Sequence, residues 1–145
     1  MENLFLKKNR GFTLLEILIV IAIIGILVSL GVVSYSSAQL KSRDSRRRSD
    51  MKAVQSAWEQ YYADNNGNYP LDCNANMSTY LPAGFPSDPK GTGDNVYLFT
   101  DHCAVNSYCF CAKMESAGTG NSAVRASGTS CTFGSGSYYC VGSLQ

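Results

Sequence analysis

Six cysteines and one carboxylate carry most of the chemistry open to this sequence. Cys73, Cys103, Cys109, Cys111, Cys131 and Cys140 all lie in the second half of a 145-residue chain. Thiols in such numbers either hold a metal or form bridges. Metal sites usually show a tight C-x-x-C pair, repeated or joined by histidine. Here the only close pair is Cys109-Phe110-Cys111 and the only histidine is His102. An even cysteine count in a small region behind an apolar N-terminal segment predicts a disulfide framework formed in an oxidising compartment. No metal and no cofactor is expected. Cys131 and Cys140 bracket an eight-residue loop and are the first pair to expect. Cys109 and Cys111, two apart on a strand, point to one face and so reach different partners, such as Cys73 or Cys103.

The carboxylate is Glu16. It sits in the 22-residue run Phe12–Val33, where Thr13 and Ser29 are the only other polar residues. About 20 apolar residues cross a bilayer as a helix, and a carboxylate within one costs roughly 2.5–3.5 kcal/mol. It therefore needs a cationic partner at the same depth. None is available between Arg10 and Lys41. A cut after Gly11 creates one: Phe12 gains an amine, one helical turn from Glu16. The Glu16 carboxylate of one copy then meets the Phe12 amine of a neighbour offset by one step in a helical stack, and both charges are neutralised only on assembly.

Little else suggests catalysis. There is no phosphate-binding loop and no G-x-S-x-G, and cysteines tied in bridges are not nucleophiles. The chain is read as a non-enzyme. Asp88–Asp94 resembles a calcium loop only loosely, lacking the D-x-D-x-D-G spacing and a closing glutamate, and is read as a turn. The run Lys41–Arg48 holds Lys41, Arg43, Arg46, Arg47 and Arg48. Clustered arginine can neutralise phosphates, but a solvated or headgroup-facing stretch beyond a membrane segment is the expected reading. Net charge is +1, with 12 basic and 11 acidic residues, which argues against a dedicated nucleic-acid binder. Hydrophobic residues make up 45%, which argues against disorder.

The elements that must position these residues are legible in outline. A secretory signal peptide has a shorter apolar core than this one, and a plain signal-anchor leaves Glu16 unexplained. Met51, Val54, Trp58 and Tyr61 recur at helical spacing, with Arg47, Asp50, Gln55 and Glu59 on other faces. No Pro or Gly interrupts residues 32–66, so one helix is expected from about Phe12 to Asp64, about 80 Å long at 1.5 Å per residue. Asn65-Asn66-Gly67-Asn68-Tyr69-Pro70 reads as its stop. Val96–Thr100, Tyr108–Met114 and Tyr138–Val141 read as three strands, joined by turn-rich segments.

The run Gly11-Phe12-Thr13-Leu14-Leu15-Glu16, behind Lys7, Lys8 and Arg10 and ahead of a long apolar helix, resembles the prepilin cleavage and methylation signature. It is similar to type IV pilins and to the pseudopilins of type II secretion, and YYADNNGNYP resembles the helix end of that family. The resemblance implies cleavage between Gly11 and Phe12 by a membrane-embedded aspartyl prepilin peptidase, methylation of Phe12, and an assembly role for Glu16. It implies a leader facing the cytoplasm, although the basic run after the apolar segment outweighs the leader's three basic residues by the positive-inside rule. Where many members carry a proline, Ser34 stands here. A bridge near the C-terminus that closes a surface loop is common in the family.

The expected fold is α+β and pilin-like, a long N-terminal helix packed on a small antiparallel sheet. The expected division is a cleaved leader at 1–11, a membrane-spanning and filament-core half-helix at 12–34, an amphipathic half at 35–66, and a disulfide-rich head at 67–145. The expected function is a structural subunit of a type IV pilus, with a type II secretion pseudopilin or a DNA-uptake minor pilin as alternatives. Expected partners are further copies of the chain and other pilins, the peptidase, and an inner-membrane assembly platform with its ATPase. Nucleic acid is not an expected partner. The expected location is the inner membrane in a single pass before assembly, then an extracellular pilus or a periplasmic pseudopilus.

Overall fold

One helix, α1 (Leu14–Asp64), accounts for 51 residues of the computed structural model, which describes residues 11–73, 77–100 and 102–145, without the side chain of Val33. Residues 1–10 of the expected leader lie outside the described residues. The helix starts two residues later than the sequence suggested because Thr13 serves as its N-cap. Its hydroxyl accepts from the Glu16 backbone N–H at 3.2 Å, and Glu16 Oε2 reaches back to the Thr13 N–H at 2.8 Å. This is a capping box, two otherwise unpaired backbone donors satisfied reciprocally. The far end follows the expected stop. Asn66 and Gly67 take positive φ angles of 55° and 75°, and the Gly67 N–H closes on Tyr62 O at 3.0 Å.

The chain divides into two compact units, the first ending at Ala38 and the second comprising Gln39–Gln145. In the first, the large apolar side chains from Phe12 to Val32 are between 49% and 83% exposed. Among the described residues α1 is the one helix long and apolar enough to cross a membrane.

In the second unit the remainder of α1 packs on three antiparallel strands, β1 (Cys103–Ala104), β2 (Ser107–Lys113) and β3 (Tyr138–Gly142), in that spatial order. Alternation along β2 divides its side chains. Tyr108, Phe110 and Ala112 join Met51, Val54, Ala57 and Trp58 in the main core, whereas Cys109 and Cys111 join Cys140 in a second, smaller cluster. Trp58 anchors the main core, meeting Phe110 edge-on at 5.1 Å between ring centroids.

Val96–Thr100 corrects the sequence reading, because it forms no strand. It keeps the two-residue alternation, with Tyr97 and Phe99 buried and Val96 and Leu98 exposed. Side chains rather than a backbone ladder hold it. The Tyr97 hydroxyl donates to Asp50 at 2.9 Å, Phe99 packs on Phe110, and Val96 O accepts from Arg125.

The outer edge of β3 is occupied at every second residue. Tyr138 bonds to Ser122 through both backbone groups. The Asn121 side-chain amide donates to Cys140 O at 2.9 Å and accepts from Cys140 N at 2.6 Å. Gln55 donates to Gly142 O at 2.9 Å. The segment carrying Asn121 lies so close that a Cβ on Gly120 would collide with the Tyr138 backbone oxygen, so only glycine fits there.

Candidate functional site

Three constellations carry the chemistry. The first is the start of α1. Thr13 also donates its hydroxyl to Glu16 Oε2 at 2.8 Å, so the bonds from Thr13 to the carboxylate both fall on one oxygen. Glu16 is exposed in the first turn. The helix macrodipole favours a negative charge there. Sequence reasoning assigned Glu16 an intermolecular partner and overlooked this local one; the T-x-x-E spacing ahead of an apolar run was the available signal.

The second is an ionic network between α1 and the head. Arg47, fully buried, donates Nε and Nη2 to the two oxygens of Asp88 at 2.6 and 2.9 Å. Its Nη1 reaches Asp44 at 2.9 Å and Glu115 at 2.7 Å. Arg43 grips Glu115 with two bonds of 2.7 Å. Asp44 also accepts from the backbone N–H groups of Glu115 and Ser116. The expected solvated or headgroup-facing reading of Lys41–Arg48 is therefore corrected. Arg43 and Arg47 tie the helix to the head, Arg48 donates to Thr119 O, and Arg46 stays exposed. Nor do Arg43 and Arg47 present a phosphate-binding surface. Asp88 also accepts from the N–H groups of Lys90 and Gly91, which makes the residue 88–94 segment the expected turn.

These carboxylates are held ionised. The Arg43 guanidinium, with Arg47 behind it and against the cost of burial, holds Glu115 down at about 2. Burial pushes Asp44 and Asp88 up, but hydrogen bonds outweigh it and leave both below their ordinary value, from backbone donors at Asp44 and from Arg47 at Asp88. A carboxyl whose folded pKa is depressed contributes stability above its unfolded pKa and loses it as pH falls through the folded one. The head should therefore keep its full melting temperature down to about pH 4.5 and lose it steadily towards pH 2. Near-ultraviolet circular dichroism melts across that range would show it, and a flat profile would remove the network from the stability account.

A second carboxylate hub went unread in the sequence. Glu59 accepts from the hydroxyls of Tyr69 and Tyr108, at 3.0 and 2.8 Å, and from Leu144 N at 3.2 Å. Burial, then the bond to Glu59, pushes both tyrosines well above the ordinary phenol range.

The third constellation is sulfur. The bridges are Cys73–Cys103, Cys109–Cys131 and Cys111–Cys140, with no free cysteine among the described residues. Cys109 and Cys111 do reach different partners. The expected Cys131–Cys140 pair and the suggested links from Cys109 and Cys111 to Cys73 or Cys103 are corrected. The reason is register: Cys111 faces Cys140 directly across β2 and β3, with Cα atoms 4.0 Å apart. That leaves Cys131 to Cys109. Non-reducing peptide mapping with cleavage after Phe110 should recover these three links, and a Cys131–Cys140 peptide would contradict them. His102 Nδ1 lies 2.9 Å from Gly128 O, a structural contact, and its neighbour Cys103 is bridged.

Comparison with known proteins bears directly on the first. A family profile described as the prokaryotic N-terminal methylation motif matches residues 6–32. The type IV wide pilus major component PilA4 of Thermus thermophilus is 31% identical over 107 residues, covering 74% of this chain and 75% of that one. The type II secretion system core protein G of Aeromonas hydrophila is 35% identical over 97 residues, covering 63% and 64%. The type IV major pilin protein PilA of Myxococcus xanthus is 37% identical over 60 residues, covering 41% and 27%. The chain thus spans less than two thirds of the latter two relatives. A methylation motif, a long apolar helix, a small bridged sheet and these relatives agree: the chain belongs to the family of type IV pilins and type II secretion pseudopilins.

Proposed function

We propose that the chain is a non-enzymatic structural subunit of a type IV pilus, cut after Gly11, methylated at Phe12 and polymerised through the apolar part of α1. One observation carries the reading. From Phe12 to Val32 the large apolar side chains are exposed, and Glu16 is the only charged residue between Gly11 and Ala38. Such a surface needs lipid before assembly and other copies of itself afterwards. The proposed division follows: leader 1–11, membrane and filament-core half 12–34, amphipathic half 35–66, head 67–145. A prepilin peptidase, an assembly platform and its ATPase are the partners this requires. The subunit is placed in the inner membrane in a single pass, then in an extracellular fibre.

The pseudopilin alternative, a periplasmic filament that drives secretion, is favoured by the relatives named as core protein G. The late head loop argues the other way: resemblance to the major pseudopilins would imply a calcium loop there, which needs acidic ligands, and here Arg125 stands in it with no acidic residue after Glu115. Shearing whole cells separates the two. Surface fibres containing this chain support the pilus, whereas fibres absent without overexpression, together with a secretion defect on gene deletion, overturn it.

Processing has its own test. A peptidase that closes on the backbone at the cut leaves no room for a Cβ, so Gly11→Ala should accumulate precursor, visible on immunoblots as slower migration. Intact mass and N-terminal sequencing of the wild type should give a methylated Phe12. Normal maturation of Gly11→Ala would move the cut elsewhere.

A further inference from the structure

We propose that a recess at Lys41, Ser45 and Arg48 binds a phosphate ester, the headgroup of an anionic phospholipid. The recess, about 230 Å³, is lined by Lys41, Asp44, Ser45 and Arg48 of α1 and by Ser116 and Thr119 of the head. Lys41, Ser45 and Arg48 fall at i, i+4 and i+7, on one face of the helix. Arg43 and Arg47 lie outside this set and are committed to the ionic network. The exclusion of a phosphate-binding surface at those two arginines therefore leaves the Lys41 face open.

The donors of this recess are free and its acid is already matched. Lys41 and Ser45 are exposed, and neither side chain has a partner among the described residues. Arg48 is held in place: Nη2 donates to Thr119 O at 2.6 Å, and the guanidinium carbon lies 5.8 Å from the centroid of the Tyr139 ring. Most of its N–H groups stay open. Asp44 accepts from Arg47 and from the backbone N–H groups of Glu115 and Ser116, so its charge is compensated. An oxyanion thus meets two positive charges and a hydroxyl, a donor set suited to phosphate. Proximity in sequence favours a lipid as its source. Only seven uncharged residues, Ser34–Leu40, separate the apolar run from Lys41, and side chains on a helix lean towards its N-terminus. This assignment rests on the membrane-inserted stage of the proposed function.

The test is native mass spectrometry of the full chain in detergent with equal amounts of phosphatidylglycerol and phosphatidylcholine, the second carrying a cation beside its phosphate. Preferential retention of phosphatidylglycerol is expected. Lys41→Gln should lower that preference about fivefold, the equivalent of about 1 kcal/mol for a basic residue at an anionic surface. Adding Arg48→Gln should lower it further. Arg46→Gln removes the same charge from another face and should leave the preference unchanged. If the double variant loses the near-ultraviolet dichroism of the head, Lys41→Gln alone decides, because its side chain ties nothing together. Equal retention of the two lipids, or an equal loss in Arg46→Gln, overturns the proposal. Soluble glycerol phosphate separates the sources: binding of it without a preference for phosphatidylglycerol overturns the lipid assignment. Flotation on phosphatidylcholine vesicles tests membrane insertion by itself. A chain that floats without the lipid preference loses only the recess, whereas one that does not float loses the inserted stage and the proposal with it.

Discussion

Glu16→Ala should reach the membrane and be trimmed like the wild type, yet yield few or no filaments. The carboxylate is costly in hydrocarbon by itself, and removing it makes the single subunit easier to accommodate. Filament loss would therefore follow from assembly, where the proposed Phe12 amine of the adjacent copy no longer finds its counter-charge. The structure adds a rival explanation that the experiment must separate. Glu16 closes the capping box with Thr13, and losing such a cap costs about 1 kcal/mol. Glu16→Gln resolves it, because glutamine serves in a capping box equally well but carries no charge. If charge pairing governs assembly, Glu16→Gln fails as Glu16→Ala does. Wild-type fibre yield from Glu16→Gln, measured beside membrane content, would make Glu16 a cap and nothing more.

Arg47→Met should cost the head about 3–5 kcal/mol, the range for removing one partner of a buried ion pair. Asp44, Asp88 and Glu115 would be left facing one another with only Arg43 nearby. Against a typical total of 5–15 kcal/mol, that brings the head close to unfolding. Urea titration in micelles reads it directly, because the only tryptophan, Trp58, is fully buried in the core. Arg46→Met is the control, since the Arg46 side chain is 62% exposed and its nearest acid, Asp50, is 3.9 Å away. It should change stability by less than about 0.5 kcal/mol. Equal effects from the two variants would show that the buried network contributes no more than surface charge does.

Arg47 also shows where sequence reading stopped. The helix and its stop were legible because apolar spacing, Asn66 and Gly67 act locally. The same spacing, run one turn further back from Met51, Val54 and Trp58, lands on Arg47 and then Asp44. A charged residue continuing an apolar stripe marks a buried ionic contact, but its partners Asp88 and Glu115 lie 41 and 68 residues away, and no local rule names them. Gln55 and Glu59 were assigned to other faces for the same reason, although Gln55 is buried and Glu59 gathers two tyrosines. The bridges failed differently. Loop length made Cys131–Cys140 attractive, whereas the pairing depends on which residue of β2 faces Cys140, and register is a property of the assembled sheet. Val96–Thr100 carried a sound alternation, which reports that alternate side chains are buried without saying whether another strand runs alongside.

The sealed flank of β3 has a consequence for how such subunits can aggregate. A strand with open backbone groups along one side is a template on which a second chain can add, and that is the usual route to amyloid. Here Ser122, Asn121 and Gln55 fill the outward positions at Tyr138, Cys140 and Gly142 one after another. Two of the three plugs are side-chain amides rather than a neighbouring strand, so they satisfy the edge without extending it. In a filament of the proposed kind, heads crowded together would thereby be denied strand-to-strand growth along this flank, and the apolar helix would be left to set the order of the polymer.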